Sequence, residues 1–296
     1  MNRQASIKLK DFMEKKPLVS IVLFTYNVER WIENNLKSMN AQKFKDFEIV
    51  MVDKYSTDKT QEIARKFKNV KIYNAPIERS TQANYGVKKA RGKYVFLTGA
   101  DFEYHPLYLK KCVELCEKKG YDAVYTSVVT KNNTFFGRCK ALERLCYVGD
   151  DEHESARFVK RDVFLKLGGY DENLVAAEDY DFQRRLNKQG YKTGRVDVIA
   201  EYHLGEEETL RHIVRRSFYY GKTLYQFLQK YKGSSVVQMS PVRTTYFKHW
   251  RIWLKDPLHT LGFIFFKITQ YFFGSLGMLT AIIVNYKGIN SEKGSK

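Results

Sequence analysis

The chain has 296 residues, 51 Lys and Arg against 33 Asp and Glu, and a formal net charge of +18. An apolar fraction of 44% with 15% aromatics excludes a mainly disordered chain, and 18 Gly with 5 Pro exclude collagen-like or linker-like architecture. The length allows one large domain or two ordinary ones, and the charge asks for an anionic partner: nucleic acid, phosphates or an acidic membrane surface.

Residues 1–16 are charged and hold no long apolar stretch, so they read as a basic leader and not as a secretory signal. Leu18–Phe24 is a continuous apolar run of strand type. Val28–Ala41 then carries Trp31, Ile32, Leu36 and Met39 at helical spacing. Phe47–Val52 is a second buried strand, ending at Asp53. Thr57–Phe67 reads as a helix, Val70–Tyr73 as a strand, Thr81–Ala90 as a helix and Lys93–Leu97 as a fourth strand. Pro106–Lys119 opens with Pro in the first turn of a helix. Asp122–Val129 is a fifth strand, and Tyr180–Lys188 and Arg195–Ala200 read as a further helix and strand. Strands alternating with helices in this way argue for a mostly parallel α/β sheet between helices.

On such a sheet ligands bind at the carboxyl ends of the strands. Here those ends are Thr25-Tyr26-Asn27, Asp53-Lys54-Tyr55 and Gly99-Ala100-Asp101. No G-x-G-x-x-G follows the first strand and no Walker A sequence is present, which argues against a Rossmann dinucleotide site and a P-loop. Cys112, Cys116, Cys139 and Cys146 form no C-x-x-C pair and read as small apolar residues, compatible with a reducing compartment.

From Gly205 to the end there are 14 Lys and Arg against 5 Asp and Glu, so half of the excess charge sits in the last 92 residues. The same segment holds the most apolar run, Pro257–Tyr286, interrupted by Lys267. Ile268–Val284 is 17 residues without charge, the lower limit for a spanning helix. A longer span would bury Lys267 near its centre, at roughly 2.5–3.5 kcal/mol unless it is paired or snorkels. Thr260, Lys267, Gln270, Gly274 and Gly277 share one helical stripe, as in an interfacial or protein-docked helix. Gly274, Ser275 and Gly277 could instead break the run in two. Tyr246, Trp250 and Trp253 alternate with Arg243, Lys248, Arg251 and Lys255, a pattern suited to anionic lipid.

Five segments resemble glycosyltransferase family 2. They are VSIVLFTYN (Val19–Asn27), EIVMVDKYSTDKT (Glu48–Thr60), Gln82–Gly86 with Ala90–Tyr94, GADFEYHP (Gly99–Pro106) and the Gly-Gly-Tyr-Asp to Glu-Asp-Tyr-Asp stretch within Leu167–Lys192. They stand in register over roughly residues 17–205. The resemblance implies the GT-A nucleotide-sugar fold over residues 17–225, with 226–296 as a C-terminal helical, membrane-associating extension. It places Thr25, Tyr26, Asn27, Asp53, Lys54, Arg79, Asn84 and Asp101 around the nucleotide and diphosphate. Lys54 stands where the family often has Asp, which leaves the nucleotide base open.

The family's Asp-x-Asp metal motif is Gly99-Ala100-Asp101 here, so its first carboxylate is missing. Dolichol-phosphate mannose synthases have Asp-Ala-Asp-Leu-Gln at this place, and Glu103 falls on their Gln. Asp101 and Glu103 are then candidates for one Mn²⁺ or Mg²⁺ ion, with His203 as a third ligand and donor oxygens completing the shell. The family's Glu-Asp pair maps to Glu178 and Asp179, with Asp179 as general base. Gly168 and Gly169 suit a tight turn that brings backbone close to a sugar.

The expected activity is inverting, metal-dependent sugar transfer from a nucleotide-sugar donor to a hydroxyl of a lipid-linked or membrane-proximal glycan, at the cytoplasmic face of the cell membrane. Synthesis of a polyprenyl-phosphate sugar is the alternative, although a phosphate acceptor needs no base. An inactive scaffold of the same fold is a third class. No helix-turn-helix, zinc-finger or RNA-recognition signature supports a nucleic-acid partner. A homo-oligomer stays open.

Overall fold

The structure, a computed structural model, describes residues 16–131, 133–150, 153–174, 177–196, 201–205, 209–231, 240 and 243–293. The expected leader, apart from Lys16, and the end of the strand expected at 195–200 lie outside the described residues.

β1 (Val19–Thr25), α1 (Glu29–Asn40), β2 (Phe47–Asp53), α2 (Thr60–Ala64), β3 (Val70–Asn74), α3 (Arg79–Lys89) and β4 (Tyr94–Gly99) alternate as the sequence predicts. β1 pairs in parallel with β2 and with β4, and β2 pairs in parallel with β3. β1 and β2 are buried along nearly their whole length, because helices cover a parallel sheet on both faces and remove both from water. α1 turns Ile32, Leu36 and Met39 onto the sheet. That is the apolar face its spacing requires.

The chain continues through β5 (Phe102–Tyr104), α4 (Tyr108–Lys119), β6 (Ala123–Tyr125), β7 (Val128–Thr130), α5 (Phe135–Tyr147), β8 (Ala156–Lys160), α6 (Arg161–Lys166), α7 (Glu178–Lys188), β9 (Thr193–Arg195) and β10 (Glu201–His203). The main sheet runs β3-β2-β1-β4-β8-β6-β9, and a second sheet runs β5-β10-β7. β8 pairs antiparallel with both β4 and β6. The single strand expected over Asp122–Val129 is therefore two strands in two sheets. The buried polar pair Thr126 and Ser127 makes the corner, and Thr126 donates its hydroxyl to Glu201 on the second sheet. The cysteines are free and buried, and burial pushes the Cys116 thiol up to about 12, as for inert packing groups.

α8 (Leu210–Tyr231), α9 (Thr244–Lys248), α10 (Trp250–Lys255) and α11 (Pro257–Lys293) complete the chain. Position 225, the expected end of the catalytic domain, falls inside α8. The apolar run does not break at its glycines: α11 is one helix of 37 residues. The glycines serve close packing instead. A Cβ on Gly221 would run into the Gly274 carbonyl, and a Cβ on Gly277 into the Phe218 carbonyl, so α8 and α11 touch backbone to backbone. A Cβ on Gly262 would come within 2.6 Å of Cys139 Sγ on α5.

Gly277→Ala is expected to force these helices apart and cost roughly 1–3 kcal/mol. Gly274→Ala, with the nearest foreign atom at 3.7 Å, is expected to be neutral or mildly stabilising. Thermal melts of the two variants check this, and equal effects would remove the close-packing argument.

Lys267 is paired rather than stranded. Its Nζ lies 2.6 Å from Glu143 Oε1 on α5, and Lys140 Nζ lies 2.6 Å from the other carboxylate oxygen. Tyr246 and Tyr147 donate hydroxyls to the same Glu143 oxygen. The opposite face of α11 is apolar and exposed: Leu258, Leu261, Phe265, Ile268, Phe272, Leu276, Leu279 and Ile283 recur every three or four residues. By length and composition, Pro257–Val284 could cross a membrane.

Candidate active site

A cleft of about 560 Å³ opens at the carboxyl ends of the central strands. Of the residues singled out in the sequence, Thr25, Tyr26, Lys54, Arg79, Asp101, Glu178, Asp179 and His203 line it. Segments up to 178 positions apart in the chain thus meet because β1, β2 and β4 end on the same edge and β10 folds back over β5. Tyr26 leaves an open ring face at the rim, with Lys54 Nζ 5.4 Å from its centroid. Lys54 Nζ lies 2.5 Å from Glu78, and that hydrogen bond raises its pKa.

Six expected residues do other work. Asp53 is fully buried and accepts from Thr25 Oγ1, Ser56 N and Oγ, and Gln61 Nε2 at 2.6–2.7 Å. It organises the loop after β2 and does not line the cleft. Asn27, in the left-handed region at φ 49°, accepts from Thr57 N and joins the loops after β1 and β2. Asn84 is a clamp: its amide donates to Tyr170 O at 2.8 Å and accepts from Tyr170 N at 2.8 Å. Gly168 and Gly169 form the tight turn, with φ of 80° and 71°. A Cβ on Gly169 would strike Asn84, so the turn's closeness is to the Asn84 clamp and not to the cleft. Glu103 points away from the cleft on β5, where Phe102 and Tyr104 point inward, and its carboxylate binds Lys131 at 2.8 Å.

Asp101 precedes β5 at a bend, so strand alternation does not dictate its direction. Its Oδ2 lies 3.3 Å from His203 Nε2. The burial of Asp101 opposes its charge, but the adjacent His203 holds its pKa down at about 2. Phe102 packs its ring edge against the imidazole, with centroids 4.6 Å apart. Gly205 leaves the room that Asp101 needs, since a Cβ there would sit 2.8 Å from Oδ2. One carboxylate and one imidazole at this separation suit a divalent ion that takes its remaining ligands from a phosphate and water. Among the described residues no three His, Cys, Asp or Glu side chains gather as a metal cage.

Across the cleft, α7 begins with Glu178 and Asp179 behind Ala177, which sits in the left-handed region at φ 66°. Glu178 is buried against Arg79, with Oε1 2.6 Å from Nη2. Burial pushes its pKa up to about 7 against the pull of Arg79, and Glu178 in turn raises that of Arg79. Asp179 accepts from Ser155 Oγ at 2.9 Å.

The folded protein therefore keeps a proton on Glu178 that the unfolded chain loses near its ordinary value. Between about pH 5 and pH 7 the native state binds more protons, and stability falls as pH rises by up to roughly 3 kcal/mol. Glu178→Gln is expected to flatten this slope. Denaturant unfolding at pH 5, 6 and 8 checks it, and an unchanged slope would refute the assignment.

Sequence reasoning missed Arg144, His153, Ser155, Arg157, Arg216 and Tyr220, which also line the cleft. Arg157 is bound to buried Glu201 and stands 4.8 Å over the Phe102 ring. His153, Ser155 and Arg157 lie at and before the short antiparallel β8, and Arg144, Arg216 and Tyr220 lie on α5 and α8, and no local pattern marks any of them.

The profile of glycosyl transferase family 2 matches residues 20–167, half of the chain. An uncharacterized glycosyltransferase of Methanocaldococcus jannaschii is 29% identical over 205 residues, covering 63% of this chain and 69% of the relative. A PGL/p-HBAD biosynthesis glycosyltransferase of Mycobacterium bovis is 31% identical over 179 residues, covering 57% and 69%. Among solved structures, the mannosyltransferase PcManGT from Pyrobaculum calidifontis, in complex with GDP-Man and Mn²⁺, aligns with a TM-score of 0.57 at 18% identity, over 97% of this chain and 86% of that one. S. aureus TarS 1–349 with UDP-GlcNAc aligns at 0.52 and 17%, over 91% and 92%. This chain spans 55% of the longer TarS chain. At these identities the structural likeness shows the fold, which is that of GT-A enzymes. The chain belongs to glycosyl transferase family 2 and is a glycosyltransferase that uses a nucleotide-sugar donor.

Proposed function

We propose that this enzyme transfers its sugar with inversion, in a metal-dependent reaction, to a hydroxyl of a lipid-linked or membrane-proximal glycan. The observation that carries the reading is the separation of roles on α7. Arg79 engages Glu178, while Asp179 is held by the Ser155 hydroxyl and lines the cleft. A carboxylate placed there takes the acceptor proton as the acceptor oxygen attacks the anomeric carbon and the bond to the diphosphate breaks. One displacement inverts the anomeric centre. Lys54 and Arg79 would offset charge on the leaving diphosphate. Asp101 and His203 would hold a divalent ion, Mn²⁺ suiting the imidazole better than Mg²⁺, which supplies the remaining neutralisation when bound.

The membrane reading rests on α11. Its inner face is docked on α5 and α8, and its outer face is an apolar stripe beside Trp250, Arg251 and Lys255. A helix covered along one side by the charged α8 fits the plane of the headgroup layer better than a crossing. Anionic lipid at the cytoplasmic face would meet the basic flank.

A thermal-shift panel of UDP, GDP, dTDP and CDP sugars with Mn²⁺ or Mg²⁺ tests the donor and metal parts. One donor is expected to raise Tm further with Mn²⁺ than without it, since a ligand at about 100 times its Kd stabilises by about 2.7 kcal/mol. Asp101→Asn and His203→Ala are expected to remove the metal-dependent part. A donor shift indifferent to metal and to both substitutions would overturn the metal assignment.

A further inference from the structure

A second cavity, of about 470 Å³, opens beside the cleft and shares Arg144, Tyr180, Arg216 and Tyr220 with it. It lies between α5, α8 and α11, and its volume is within the range of small-ligand sites. Its lining joins two chemistries that a nucleotide sugar does not combine. Lys140, Arg144, Arg216, Arg243 and Lys267 are cationic, and no described lining residue is a carboxylate. Glu143, behind the wall, faces Lys140, Lys267 and Arg243. The rest of the lining is largely apolar, including Leu224, Leu228, Phe266 and Met278.

The cavity also adjoins two features already described. Tyr180 on the shared wall directly follows Asp179. The inner wall is α11, whose outer face is the exposed apolar stripe. A ligand that reaches Asp179 through this cavity must therefore tolerate a cationic, greasy passage next to a lipid-facing helix.

We propose that this cavity is the acceptor pocket and that its occupant is a lipid phosphate. Its phosphate or diphosphate head binds among Arg144, Arg216 and Arg243, and its hydrocarbon chain lies along Leu224, Leu228 and Met278. The part to be glycosylated passes Tyr180 toward Asp179. This rests on the reading that the acceptor is lipid-linked, and adds where the lipid is held and which chemistry recognises it. Paired cations over a phosphate are strong only in a site from which water is partly excluded, which the apolar walls supply.

The test is calorimetric titration of the full chain with farnesyl diphosphate, inorganic pyrophosphate and farnesol, in the absence of donor. Farnesyl diphosphate is expected to bind at least about tenfold more tightly than either half alone, and Met278→Trp and Arg216→Gln are each expected to weaken it about tenfold. The Tm of each variant is read beside the titration, and Met278→Trp fills the cavity without touching its charge. Pyrophosphate binding as tightly as farnesyl diphosphate would reduce the site to a phosphate site and overturn the proposal. So would farnesyl diphosphate binding that neither folded variant weakens. Sugar transfer to a hydroxyl acceptor that Met278→Trp does not change would overturn the pocket and leave the transferase mechanism standing. Farnesyl diphosphate binding lost in both variants, with no sugar transferred to any lipid, would leave a lipid-phosphate site there and overturn its role as the acceptor pocket.

Discussion

Asp179→Asn is expected to lower kcat by about 100- to 10,000-fold, the usual share of a positioned general base. Donor affinity is expected to stay within a few-fold. The substitution keeps the shape of the side chain, and its amide oxygen can still accept from Ser155 Oγ or the Tyr180 N–H, which now hold the carboxylate at 2.9 Å. What it removes is the capacity to take a proton. Steady-state rates with saturating donor, together with donor titration of the same preparation, separate the two effects. Turnover surviving within a few-fold would end the base assignment. It would also favour an acceptor that is anionic already, such as a lipid phosphate, because such a nucleophile has no proton to lose. Glu178→Gln does not duplicate this test, since Glu178 is occupied by Arg79 and its loss acts on stability and its pH dependence.

Glu143→Ala is expected to cost about 3–5 kcal/mol and to lower Tm by roughly 10 °C. Glu143 is 1% exposed and holds Lys140 and Lys267, each at 2.6 Å, so its removal leaves two half-buried ammonium groups without their carboxylate. Burial by itself would raise the Glu143 pKa, but Lys140, Lys267 and Arg243 hold it well below the ordinary glutamate range. A carboxyl group depressed in this way stabilises the fold above its unfolded pKa, and that contribution disappears as pH falls toward the folded value. Acid is therefore expected to loosen α11 from α5. The double substitution Glu143→Leu with Lys267→Met is expected to recover part of the loss, because a buried ion pair can be replaced by apolar groups at little cost. Chemical unfolding of the two variants checks this. A loss below about 1 kcal/mol for Glu143→Ala would mean that the pair does not clamp the helix.

The clamp bears on how α11 should be understood. A lysine in the middle of an apolar run costs energy in lipid unless it has a partner, and the partner comes from a helix more than 120 positions earlier in the chain. Nothing near Lys267 in sequence identifies Glu143. The glycines are similar. Gly274 and Gly277 are compatible with a helix break, a membrane stripe or close packing, and only the position of Phe218 and Gly221 on α8 selects the last.

The strands β1 to β4, the helices between them and the place of the site were legible in the sequence. Continuous apolar runs separated by helical spacing have one economical solution, a parallel sheet covered on both faces, and such a sheet puts its ligand at the strand ends. Thr25, Tyr26, Lys54, Asp101, Glu178 and Asp179 could be named on that basis together with the family resemblance. The short antiparallel strands and the corner at Thr126 could not, because three to five residues carry too little periodicity. Tertiary structure alone decided what each polar residue does. Asp53 and Asp101 both follow a buried strand, yet Ser56 and Gln61 claim one while His203 leaves the other facing the cleft. Glu103 turns to Lys131, and Asn84 turns to Tyr170. A strand end fixes where a side chain starts; the partners that arrive from distant segments decide whether it holds the loop or the ligand.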